Sequence, residues 1–169
     1  MLKAVMIASA LTYLATMPAG AQQPAAPAVP SGPPPAYGAP ITLEMAKQAV
    51  AAAEAEAKKN NWNVMIVVLD SGGHIVMSQK LDGTQYASIR IAEGKARTAL
   101  EFKRPTKALD DTIAGGGAGL RLLSVRGVTA IEGGLPIIVD GKIVGSIGVS
   151  GVTSQQDAQI ARAGADAVK

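Results

Sequence analysis

The stretch Gly133-Gly-Leu-Pro-Ile-Ile-Val-Asp-Gly-Lys-Ile-Val-Gly-Ser-Ile-Gly-Val-Ser-Gly151 constrains the fold more than any other part of the chain. Two apolar runs flank Asp140-Gly141, a dipeptide suited to the positive φ angles of a two-residue hairpin turn. The second run has two unlike faces. Alternation puts Ile143, Ile147 and Val149 on one side, interrupted by Gly145, and Val144, Ser146, Gly148 and Ser150 on the other. A strand face this small admits a helix, a second subunit or a flat ligand close to the backbone. Packing of a helix on the sheet is the simplest of these uses.

The N-terminus carries other information. Lys3 precedes a short apolar run, Ala4 to Ala15, and Ala19-Gly20-Ala21 has the small-x-small form of a signal-peptidase site. The run is too short for a permanent membrane span. Residues 1–21 are therefore expected to be a signal peptide, which makes the protein periplasmic or secreted. Seven of the nineteen residues from 22 to 40 are proline, so this segment is expected to be an extended linker without a core. The remaining residues, 41–169, make one domain of ordinary size.

Composition removes several function classes. The chain has no cysteine, which excludes thiolate zinc sites, cysteine nucleophiles and iron–sulfur clusters. A net charge of +3 with dispersed Lys and Arg does not suggest nucleic acid, and aromatic residues are too few for base stacking. The Gly115–Gly119 loop lacks the Gly-Lys-Ser/Thr ending of a phosphate loop and follows a helix, unlike a dinucleotide fingerprint. Ser150 sits between glycines without completing a nucleophile elbow.

Within 41–169 the pattern reads helix, two strands, helix, short helix, three strands, helix. Thr42 caps a helix over 43–59, and Val64–Leu69 is a strand covered on both faces. A turn at Asp70-Ser71-Gly72-Gly73 leads into a strand from His74 to Lys80. The stripe Tyr86, Ile89, Ala92, Ala96 and Ala99 marks a long helix over 85–102, and Pro105 ends it before a short helix over 106–114. A strand near Val128–Ile131 leads into the hairpin, and Thr153 or Ser154 caps a last helix over 155–168. Short turns between sequential strands favour antiparallel pairing, so the expected fold is α+β, a five-stranded antiparallel sheet flanked by helices.

In order and spacing these motifs resemble the GlcG/HbpS family across residues 41–168. The resemblance rests on Ile41-Thr42-Leu43, Val67-Val68-Leu69-Asp70-Ser71-Gly72-Gly73-His74, Leu81-Asp82-Gly83, Lys95-Ala96-Arg97-Thr98-Ala99, Gly133-Gly134-x-Pro136, Gly145-Ser-Ile-Gly148-Val-Ser-Gly151 and Asp157. It implies a profilin-like fold, haem as cofactor and a homo-oligomer, with self-association through glycine- and alanine-rich surfaces. The roles implied are haem capture, storage, sensing or slow degradation. The alternative is an auxiliary protein or enzyme of small-molecule metabolism, related to glycolate-utilisation or corrinoid-adenosyltransferase-associated domains.

His74, the only histidine, stands after a Gly-Gly turn where a side chain reaches the rim of the sheet, and neutral imidazole is a common haem-iron ligand. It is equally a half-exposed strand-end residue. Met77 is three positions on, facing the opposite side of a regular strand, and reads as core filler. Arg90, Lys95 and Arg97 lie on the long helix, either as a solvated face or as partners for a haem propionate. Thr98 and Thr129 are possible oxygen donors near the cleft. Asp157 suits the positive end of the last helix.

Overall fold

The computed structural model describes residues 32–169 of the chain. Helix α1, Leu43–Lys59, begins where Thr42 Oγ1 accepts a hydrogen bond from Met45 N at 3.2 Å, and it buries an alanine-rich face. Strands β1, Met65–Asp70, and β2, Ile75–Lys80, form the first hairpin. Helix α2, Ala87–Glu101, is followed by α3, Thr106–Ala114, and a 3-10 helix over Gly117–Ser124. Strands β3, Gly134–Val139, and β4, Lys142–Ser150, form the second hairpin. Asp140 and Gly141 turn it with φ of 49° and 71°, both in the left-handed region that this turn requires. Helix α4, Ser154–Asp166, starts at a capping box between Thr153 and Gln156.

The sheet has four antiparallel strands in the order β2-β1-β4-β3, which corrects the expected five. Residues 128–131 form no strand, because their surroundings satisfy the backbone differently. Thr129 N donates to Thr98 Oγ1 at 2.8 Å, and Glu132 N donates to Asp110 Oδ2 at 3.3 Å. Side chains of α2 and α3 thus take hydrogen bonds that a neighbouring strand would have taken. The glycine-rich segment after α3, expected as a loop, is largely the 3-10 helix.

Two layers of helix cover the sheet. Helices α1 and α4 pack on the face carrying Ile66, Val68, Ile147 and Val149, and this is the larger core. The register of β3 against β4 slips between Ile137 and Ile138, and the slip brings Val144 rather than Ile143 into that core. Helix α2 lies on the other face against Met65, Val67 and Leu69. There the small residues of β4 find their use. A Cβ added at Gly148 would stand 2.1 Å from Ala92 O and 2.5 Å from Ala96 N. The small face is filled by α2, so it is internal and offers no surface to another subunit.

The chain meets the sheet before α1 begins. Ile143 N donates to Ala36 O and Gly38 N to Ile143 O, each at 2.8 Å, in a parallel bridge that continues past the end of β1. Among the described residues no helix is long and apolar enough to cross a membrane.

Candidate functional site

The tip of the β1–β2 hairpin is organised by Asp70. Its Oδ1 accepts from Gly72 N at 2.8 Å and from His74 N at 2.9 Å, and its Oδ2 lies 3.3 Å from His74 Nδ1. Partial burial alone would raise the Asp70 carboxyl. The two backbone N–H donors and the His74 ring outweigh that effect and hold it below its ordinary value. A carboxylate only accepts, so the Nδ1 contact places the proton of the neutral imidazole on Nδ1 and the lone pair on Nε2. The His74 side chain is 82% exposed. The hairpin therefore presents a nitrogen donor to solvent with its orientation set from behind, the arrangement in which histidine binds a metal.

Arg97 joins this tip from α2. Its Nη1 donates to Gly73 O at 3.2 Å and its Nη2 donates to Glu93 Oε1 at 3.1 Å. Half-exposed, the guanidinium keeps further N–H donors for an anion beside His74. Ile89, Glu93 and Arg97 recur at intervals of one helical turn and so share one flank of α2, of which Arg97 meets the hairpin turn. Ile75, at the start of β2, is 51% exposed and adds apolar surface to the same region.

The other two expected site residues lie elsewhere. Lys95 is buried, with Nζ donating to Val149 O at 3.0 Å and to Asp157 Oδ2 at 2.7 Å. This pair joins α2, β4 and α4 and leaves no exposed ammonium for a propionate. Burial pushes the Asp157 carboxyl up, while the Lys95 ammonium and the Val152 N–H pull it down, and burial prevails. Thr98 is buried too, and its hydroxyl oxygen receives Thr129 N. Arg90 is exposed and Met77 packs against the α1–α4 core, so Met77 and His74 do not meet.

Sequence reasoning passed over Asp70 as a site residue, although Asp-Ser-Gly-Gly-His carries the signal: an aspartate opening a turn four residues before a histidine. The Lys95–Asp157 pair spans 62 positions and has no local signature. Among the described residues, no group of three or more His, Asp or Glu side chains could hold a metal ion. Any iron held here would need its remaining ligands from a prosthetic group or another molecule.

A helix-covered four-stranded antiparallel sheet, with one oriented histidine at a hairpin tip, defines a small α+β class of domain. Residues 41–166 match the family described as haem degrading protein HbpS-like, and the chain belongs to that family. Protein GlcG of Escherichia coli strain K12 is 40% identical over 110 residues, which are 65% of this chain and 81% of that one. The crystal structure of HbpS superposes with a TM-score of 0.72 at 33% identity, covering 78% of this chain and 92% of HbpS. A PduOC–haem complex superposes with a TM-score of 0.70 at 26% identity, covering 77% of this chain and 96% of that one.

Proposed function

We propose that this chain is an exported haem-binding protein in which His74 is an iron ligand and Arg97 receives a propionate. The observation that carries this reading is the Asp70–His74 contact, which leaves Nε2 as an exposed, oriented donor. Family membership and the haem complex of a similar domain support it. Bound haem would supply redox-active iron, which suits capture, storage, sensing or slow degradation. Asp70 orients the imidazole through Nδ1. Arg97 contributes charge and N–H donors at the adjacent rim. Lys95 and Thr98 act one layer below, fixing α2 so that Arg97 meets the turn. Export by the segment 1–21, which lies outside the described residues, and assembly as a homo-oligomer belong to the same reading.

Titration of the mature protein with hemin, followed by optical spectroscopy, tests it. Saturable growth of a Soret band is expected, and His74→Ala should move the maximum and weaken binding. Stoichiometric binding with an unchanged spectrum in His74→Ala would remove the ligand assignment. Absence of any Soret change in the wild type would favour the reading as a small-molecule auxiliary protein.

A further inference from the structure

A cavity lies away from His74, between the end of α2, α3 and the 3-10 helix. Its volume is ≈ 450 Å³, within the range of about 300–1,000 Å³ typical of small-molecule sites. Phe102, Leu109, Leu122 and Val125 give it an apolar lining, and Arg104 and Arg121 stand at its wall. Neither arginine forms an ion pair among the described residues. The side chain of Arg104 spends only Nε, on Phe102 O at 3.1 Å. Two unneutralised guanidiniums beside an apolar hollow are complementary to one kind of molecule: an apolar body bearing an anionic head.

The covering segment is itself unusual. The 3-10 helix runs for eight residues, whereas such helices seldom exceed about four. Gly116 precedes it with φ of 68°, Gly117 opens it with φ of 55°, and Gly127 follows with φ of 82°. A Cβ at any of these three glycines would meet no atom within 4 Å, so glycine is needed for its backbone conformation and not for space. The cover is thus suspended between two left-handed glycine joints, and its underside supplies Arg121 and Leu122.

From this geometry we infer that the cavity binds an amphipathic organic anion, with a ring-sized apolar group against Phe102, Leu109 and Leu122 and the anionic group between Arg104 and Arg121. The site is independent of the His74 reading. Calorimetric titration of the mature protein with 2-naphthoate tests it, with neutral methyl 2-naphthoate as the control. One carboxylate should bind per chain, and the ester at least about tenfold more weakly, as expected for loss of a charge-assisted hydrogen bond. Arg104→Gln combined with Arg121→Gln should weaken the carboxylate by a similar factor while the melting temperature stays at the wild-type value. His74→Ala should bind 2-naphthoate as the wild type does. The inference is overturned by absence of saturable binding, by equal affinity for ester and carboxylate, or by full binding in the folded double variant. Loss of binding in His74→Ala would likewise overturn it, because the anion would then sit at the hairpin tip.

Discussion

Replacing Lys95 by Met tests how the two helical layers are joined. The wild-type pair is almost wholly removed from water, with side-chain exposures of 1% for Lys95 and 3% for Asp157 and a separation of 2.7 Å. Methionine preserves much of the volume but removes the ammonium, leaving a buried carboxylate with only backbone N–H groups, among them that of Val152, as partners. Breaking a buried pair from one side costs about 3–5 kcal/mol. For a domain of this size, that corresponds to a fall in melting temperature of roughly 10–20 °C. The loss should depend on pH with a definite sign. Burial raises the Asp157 carboxyl above its ordinary value of 3.8, and removing Lys95 raises it further. An acid with a raised folded-state pKa contributes stability below its unfolded value and loses it as pH rises through the folded value. The Lys95→Met deficit should therefore be smaller at about pH 4 than at neutral pH, growing as pH rises through the raised folded-state value. Replacing Asp157 by Leu in the same chain should restore most of the stability, since removing both charges of such a pair is close to neutral. Thermal unfolding followed by circular dichroism between these limits decides the matter. A Lys95→Met melt within about 2 °C of wild type at neutral pH, or a double variant no better than the single one, would refute the account.

Three further changes probe other parts of the argument. Asp70→Asn should weaken hemin binding about 10–100-fold without unfolding the protein, because the ring loses the carboxylate that orients it; hemin titration and a melt read the two effects separately. The same variant should flatten acid denaturation: the depressed Asp70 carboxyl contributes stability above its ordinary value of 3.8 that is lost as pH falls through its folded value, and asparagine has no such dependence. Gly148→Ala should destabilise by more than about 1–3 kcal/mol, because the methyl group meets backbone rather than a yielding side chain; a wild-type melt would show that α2 has room to shift. Thr98→Val should cost about 1 kcal/mol and accelerate hydrogen exchange at Thr129, whose amide loses its acceptor.

Local chemistry made much of this fold legible. Asp140-Gly141 announces its hairpin, Thr42 and Thr153 announce their helices, and the continuous apolar run before Asp70 announces a strand buried on both faces. The absence of a strand at residues 128–131 has a physical reason. Val128 to Ile131 has strand-like composition, but Thr98 and Asp110 supply acceptors that compete with a ladder, and both are remote in sequence. The site divides in the same way. His74 and Arg97 sit close together because a turn lies beside a helix end. Lys95 looks like a surface lysine until α4 returns with Asp157. Counting helical positions places Lys95 on α2 but says nothing of what will cover it.

The bridge between Ala36–Gly38 and Ile143 also fixes where the polypeptide enters the domain. Asp70 pairs with Gly145, so the entering segment lies just beyond that pair, at the end of the sheet where the His74 turn is. Tyr37 secures it there, donating its hydroxyl to Leu100 O at 2.9 Å beneath the Lys103 ammonium, 4.2 Å from its ring. Any tether, carrier or affinity tag joined upstream of Gly32 reaches the domain along this path, on the flank shared with the imidazole. Attachment through Lys169 enters from a different element, the end of α4, so comparing the two attachments asks whether a load upstream obstructs access to His74.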